Sequence, residues 1–219
     1  MLRFGPRDGP VVIAAPALFE EGNRTRAFLV RTLRLLADRG IGSALPDLPG
    51  QGESLLPTAE ARLSHWRSAF AVAAKAERRQ AYVLALRGGC LLDAECVPQG
   101  RYYLSPVTGE SLMRDLDRAR RAAYPDNTPR LAGRLLMTPP ALPRLFAGNV
   151  LSSDLVAELV EAEPRSDPDR TVRLDTDPRP ADLKLPGRPL WRASEPDVDA
   201  PLAAALADDV AAWVRACAG

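Results

Sequence analysis

The residues best placed to do chemistry lie in Ala85-Leu86-Arg87-Gly88-Gly89, a small-x-X-x-Gly pattern that ends an apolar run. Such a pattern marks a sharp bend after a strand. Its flanking positions must be small because the presented side chain sits in a strained turn pressed against its neighbours. A Ser, Cys or Asp at the centre could attack an acyl carbon. Here the centre is Arg87, whose guanidinium stays protonated and cannot act as a nucleophile. A permanent cation at the carboxyl end of a strand can instead hold an anion.

The elements that must position this bend follow from punctuation and periodicity. Val11 to Ala15 reads as a buried strand, and Thr25 to Arg39 as a helix with Phe28, Leu29, Leu33, Leu36 and Ala37 on one face. Ile41 to Leu45 is a short strand, followed by the Gly- and Pro-rich loop Asp47-Leu48-Pro49-Gly50-Gln51-Gly52-Glu53-Ser54. A helix is expected from about Thr58 to Arg78, then the strand Ala81 to Leu86, the Arg87 bend, and a helix opening at Cys90-Leu91-Leu92. Tyr102 to Leu104 is the next strand, Glu110 to Ala123 an amphipathic helix, Leu151 to Leu159 a short helix capped by Ser152 or Ser153, and Val172 and Leu174 a weak strand. A final helix over Pro201 to Ala216 buries Leu202, Leu206, Val210, Trp213 and Val214. Strands alternating with helices predict a doubly wound, mainly parallel α/β sheet, in which ligands sit at the carboxyl ends of the strands. No internal repeat or linker divides residues 1–219, so one domain is expected, with 106–150 as a cap-like insertion.

The loop Asp47-x-Pro49-Gly50-x-Gly52-x-Ser54, followed one helix and one strand later by the Arg87 bend, resembles the α/β-hydrolases. The resemblance implies that fold, compact and with a small or absent cap. The stretch Pro16-Ala17-Leu18-Phe19-Glu20-Glu21-Gly22-Asn23-Arg24-Thr25-Arg26 occupies the place of the oxyanion loop. It resembles the Pro-Phe-x-Glu-Glu-x-Asn-Lys-x-Arg loop of hydrolase-like proteins of bacterial exosortase systems, which accompany exopolysaccharide export. Ser105-Pro106-Val107-Thr108-Gly109 is similar as well. The hydrolase triad runs nucleophile, acid, histidine in chain order, yet the single histidine, His65, precedes the bend. Both halves of the nucleophile–base pair are therefore missing.

Two partners for Arg87 remain. Glu20 or Glu21 can fold over the bend and form a bidentate pair, plugging the former oxyanion hole. Alternatively Arg87, with Arg24 at the rim, can receive a carboxylate, phosphate or sugar acid. The internal pair is favoured, and the expected pocket comprises Arg87, Leu86, Gly88, Phe19, Glu20, Glu21, Asn23, Arg24 and Ser105. The resulting expectation is a noncatalytic accessory or anion-binding protein. The alternative is an esterase or thioesterase with a relocated nucleophile, Ser105 or Cys90, and with Asp175 or Glu195 as the acid; Asp177 also falls in that region. His65 reads as a surface or packing residue, Cys90 as an inert buried thiol, Ser105 as a turn cap, and Asp47 as an acceptor for turn N–H groups.

Composition narrows the partners. With 29 Lys and Arg against 28 Asp and Glu, a net charge of +1 excludes a nucleic-acid footprint. Three cysteines without a C-x-x-C pair, and one histidine, argue for a reducing compartment and against a metal or other cofactor. No apolar stretch reaches the roughly 18–20 residues of a membrane span, and the Val11 run, although it follows Arg3 and Arg7, is short and closely followed by Pro16, Glu20 and Glu21, which reads as a strand and not a signal peptide, so a cytoplasmic protein is expected. The basic helix 110–123 is expected to be a solvated cap over the pocket, interrupted by Asp115 and Asp117. Partners consistent with this reading are a small anion, a protein of the same export system, or a second copy in a homodimer.

Overall fold

Consecutive residues of the central strands belong to opposite cores. In β2 (Val11–Ala15), Val11, Ile13 and Ala15 face one side while Val12 and Ala14 face the other, and all five are fully buried. The period-2 geometry of a strand turns a continuous apolar run into two hydrophobic faces. The first face is covered by α2 (Leu63–Ala76), α3 (Gly109–Ala123) and α4 (Ser153–Val160), the second by α1 (Phe19–Asp38) and α5 (Ala200–Ala218). The computed structural model describes residues 1–51, 54–77, 80–123, 144–146 and 148–218.

The sheet has the order β1-β3-β2-β4-β5-β8-β9, with β1 at Leu2–Phe4, β3 at Gly42–Leu45, β4 at Ala81–Leu86, β5 at Gly100–Leu104, β8 at Arg170–Leu174 and β9 at Leu183–Leu185. Only β1 runs antiparallel to its neighbour; every other pairing in this sheet is parallel. β2 and β4 therefore lie centrally and in register, Ala15 beside Ala85, which brings the start of α1 next to the bend after Leu86. A separate antiparallel hairpin, β6 (Arg144–Phe146) with β7 (Asn149–Leu151), packs through fully buried Phe146 and Leu151 onto the α3 side. The helix α3 and most of this hairpin belong to the stretch expected as a cap-like insertion; its residues 124–143 and 147 lie outside the described residues, as do Gly52 and Glu53 of the Asp47 loop and Arg78 at the expected end of the second helix.

Buried aromatic residues anchor the layers. Trp66 of α2 is fully buried, and its indole N–H donates to the Pro49 carbonyl at 2.7 Å, fixing the loop after β3. On the opposite face Arg170 donates to both oxygens of Asp209 at 2.8 and 2.7 Å, and the Tyr102 hydroxyl donates to the same carboxylate at 2.8 Å, joining β5, β8 and α5.

Four local expectations need correction. α1 begins at Phe19, so Pro16–Arg26 is not an extended loop; its cap position is Leu18, which makes no side-chain cap bond and left no start signal. The second helix begins at Leu63, because Thr58–Glu60 forms a single 3-10 turn and Ala61 and Arg62 are extended. After the Arg87 bend no α-helix follows: Arg87–Leu91 and Asp93–Glu95 are consecutive 3-10 turns, so the macrodipole of a long helix is not aimed at Arg87. Trp213 is only half-buried, packing edge-on against Tyr82 and Tyr102. Ser152 does cap α4, accepting from the Leu155 N–H at 3.0 Å.

Candidate functional site

Arg87 adopts φ 55°, the left-handed region, at the carboxyl end of β4. A residue with a Cβ pays about 1–2 kcal/mol there, so the surrounding packing must enforce the conformation. Gly89 shows how: a Cβ at that position would stand 2.3 Å from the Ala15 carbonyl oxygen and 2.6 Å from that of Pro16. The end of β2 thus passes directly over the bend, and only Pro16, Ala17 and Leu18 separate β2 from α1.

That approach brings the first turn of α1 onto the guanidinium. Arg87 Nε donates to Glu21 Oε2 at 3.1 Å and its terminal nitrogen to Glu21 Oε1 at 2.8 Å. The pair is bidentate and buried, with 4% and 11% of the two side chains exposed. Asp115 of α3 stands 3.7 Å from the same guanidinium, which also lies over the Trp191 ring at 4.8 Å from its centroid. Two carboxylates and an aromatic face therefore surround the cation.

Arg87 also lines a cavity of about 430 Å³ at the carboxyl ends of β4 and β8, walled by Arg114, Asp115 and Arg118 of α3, by Leu174 at the end of β8 with Asp177 and Arg179 after it, and by Trp191 and Arg192. Asp177 accepts from Arg179 at 2.7 Å and from Arg173 at 3.2 Å, and these bonds, led by that to Arg179, hold its carboxyl well below the usual range. The pKa of Arg173 is lowered as well, by burial and then by repulsion from Arg179.

The other expected pocket residues separate. Leu86 and Gly88 lie in the core, with Gly88 against Leu112 and Leu18, and neither lines the cavity. Phe19 packs on Trp66 at 5.6 Å. Glu20 turns toward the hairpin and accepts from Asn23 at 3.4 Å and from Asn149 at 3.3 Å, because on a helix it points away from Glu21. Arg24 is not at the rim of the Arg87 cavity; it donates to the Trp191 carbonyl at 3.0 Å.

The two candidate nucleophiles are closed off. Cys90 is 1% exposed, its thiol donates to the Arg87 carbonyl at 2.9 Å, and burial pushes its pKa up to about 12, so no thiolate forms near neutrality. Ser105 is fully buried at φ 50°, and its hydroxyl has no hydrogen-bond partner among the described residues, so it caps no turn there. His65, Asp47, Asp175 and Glu195 are exposed. The turn bonds expected of Asp47 are made by Ser54, whose hydroxyl accepts from the Gly50 and Leu56 N–H groups at 2.9 and 3.2 Å. Among the described residues, no group of His, Cys, Asp and Glu could hold a metal ion, and no helix is long and apolar enough to cross a membrane.

Sequence reasoning also missed Asp93, the fully buried carboxylate beneath the bend. It accepts from Arg101 Nε at 2.9 Å and from the Tyr103 hydroxyl at 2.8 Å, while its second oxygen has no partner among the described residues. Burial raises its pKa above the ordinary value, outweighing the stabilising bonds from Tyr103 and Arg101. The folded state thus binds a proton more tightly than the unfolded one, and the contribution of Asp93 to stability falls as pH rises through the raised pKa. Asp93→Asn has no such dependence. Its cost relative to wild type, measured by urea unfolding, is expected to be larger at pH 4 than at pH 7.

No family model matches the chain, and no curated protein matches it. Solved structures do. A thermophilic esterase from Thermogutta terrifontis is 13% identical with a TM-score of 0.57, covering 100% of this chain and 93% of that one. A monoacylglycerol lipase from Paleococcus ferrophilus is 14% identical with a TM-score of 0.53, covering 99% and 98%. A metagenome-derived lipolytic enzyme is 15% identical with a TM-score of 0.51, covering 97% and 95%. Together with the strand order and the strained bend after β4, these likenesses establish that the chain has the α/β-hydrolase fold.

Proposed function

We propose that this protein is a noncatalytic binding protein built on a hydrolase scaffold, in which an arginine–glutamate lock replaces the nucleophile. The observation that carries the reading is the buried bidentate pair between Arg87 and Glu21 at the bend. Acyl transfer there would need an attacking atom and a base within hydrogen-bond reach of it. The bend presents a permanent cation, and its neighbours are the carboxylates Glu21 and Asp115. An acid without a base cannot run triad chemistry. What remains useful is the cavity beside the lock. A role as an accessory protein of an exosortase or exopolysaccharide system belongs to the same proposal and is carried by the sequence resemblance at Pro16–Arg26 and Ser105–Gly109.

The competing reading is an ester or thioester hydrolase using Ser105 or Cys90. The esterase and lipase folds among the structural neighbours favour it, while the burial of both side chains opposes it. A fluorophosphonate probe and a panel of short nitrophenyl esters separate the two. Neither labelling nor turnover above buffer is expected, and Arg87→Ser is expected to add none, since the single histidine, His65, is exposed on α2. Stoichiometric labelling at Ser105, or turnover abolished by Cys90→Ala, would overturn the noncatalytic reading.

A further inference from the structure

The cavity beside Arg87 carries more positive charge than its own walls neutralise. Its lining guanidiniums are Arg87, Arg114, Arg118, Arg179 and Arg192, and its lining carboxylates are Asp115 and Asp177. The ion-pair partners of these residues outside the wall are Glu21 on Arg87, Glu110 on Arg114 and Arg173 on Asp177. The group therefore holds six guanidiniums against four carboxylates, Glu21, Glu110, Asp115 and Asp177, a surplus of two positive charges. Arg192 makes no side-chain hydrogen bond or ion pair among the described residues, and it is exposed at the cavity wall. The glutamate paired with Arg114 is two-thirds exposed, so that bond is readily exchanged for another anion.

The surplus acts inside a concave site, not on an open face. Low-dielectric walls focus the field of converging guanidiniums, and planar forks from several directions suit oxyanions better than a single point charge would. Arg173 feels the neighbouring cation too: burial first, then repulsion by Arg179, lowers its pKa, with Asp177 opposing the shift. Hydroxyl-bearing Ser111 and Thr176 add donor capacity to the wall, and the Trp191 ring with Leu174 and Val107 offers an apolar surface beside the charges.

Resting on the noncatalytic reading above, we propose that this cavity binds a small molecule through a dianionic oxyanion head group, a phosphate monoester or a dicarboxylate, received by Arg192, Arg114, Arg118 and Arg179. Arg87 stays locked by Glu21 and forms the fixed floor of the site. The surplus of two charges matches a dianion, and the Trp191 side accommodates an attached ring or short apolar body. The binding step is exchange of water and of the weak Glu110 and Asp115 contacts for ligand oxygens. No covalent bond changes.

The test uses the full chain with phenyl phosphate and malonate as separate probes, each compared with sodium chloride at matched ionic strength to remove screening. At about ten times the dissociation constant, the midpoint of thermal unfolding is expected to rise by roughly 3–6 °C with at least one probe. In R114Q/R192Q, whose altered side chains are exposed, binding of that probe is expected to weaken at least tenfold by calorimetry. Which probe binds identifies the head group. No shift beyond matched salt, or equal affinity in the variant, would overturn the proposal. Ester turnover by the wild type would instead defeat the noncatalytic reading, and a missing anion response without turnover defeats only the ligand assignment.

Discussion

Arg87→Met is expected to cost about 3–5 kcal/mol in urea unfolding, because it leaves the Glu21 carboxylate buried without its partner. The cost comes from breaking the pair on one side, since removing a single partner strands an uncompensated charge. Arg87→Lys is expected to recover less than half of that loss. An ammonium can neither satisfy both Glu21 oxygens at 3.1 and 2.8 Å in fork geometry nor present a flat face to Trp191 at 4.8 Å. Arg87→Ser is expected to be as destabilising as Arg87→Met. Placing a hydroxyl at the bend would then weaken the scaffold.

Gly89→Ala is expected to be more damaging still, with a loss of at least about 4 kcal/mol or failure to yield soluble folded protein. The new methyl would overlap two backbone oxygens, those of Ala15 and Pro16, at 2.3 and 2.6 Å, and neither can turn away without displacing β2. Gly88→Ala is the natural contrast. Its nearest obstacle is the end of the Leu112 side chain at 3.2 Å, which can move, so a cost of about 1–2 kcal/mol is expected. Circular dichroism and urea midpoints of the two variants, measured side by side, check the order. The difference locates the rigid part of the bend at the crossing of β2 over Gly89, the crossing that also delivers Glu21 to Arg87.

How much of this was legible in the sequence depended on the kind of signal each residue left. Val11–Ala15 and Ala81–Leu86 were readable because central parallel strands are buried on both faces and show as unbroken apolar runs. The edge strands Leu2–Phe4 and Leu183–Leu185 were not, since three residues with partly exposed side chains leave no period to detect. The bend at Arg87 followed from the small residues that its crowding requires. The pairing of that arginine with Glu21 and not Glu20 was decided by the helix start at Phe19, which puts the two carboxylates on different sides, and no capping residue announced it. Asp115, Trp191 and Arg192 left no local mark: Asp115 resembles any solvated helix position, and the other two follow a Pro-rich stretch whose path is set only by tertiary packing. Asp93 was equally hidden, because a buried carboxylate is recognisable only through its partners, Arg101 and Tyr103.

The bend after β4 presents a paired cation, a fixed charge held by Glu21. The strain of a left-handed arginine is offset by the bidentate bond and the stacking that hold it, so lock and bend are expected to be energetically inseparable. Weakening either should loosen the other, and with it the wall of the cavity that Arg87 shares with Asp115 and Trp191.

The most direct measurement is a double-mutant cycle between these two residues: wild type, R87M, E21L and R87M/E21L, each unfolded in urea at pH 7. The account predicts a coupling free energy above about 2 kcal/mol, with the double variant more stable than R87M alone because no buried charge is left over. A coupling within about 0.5 kcal/mol of zero, with the two single losses simply adding, would contradict it.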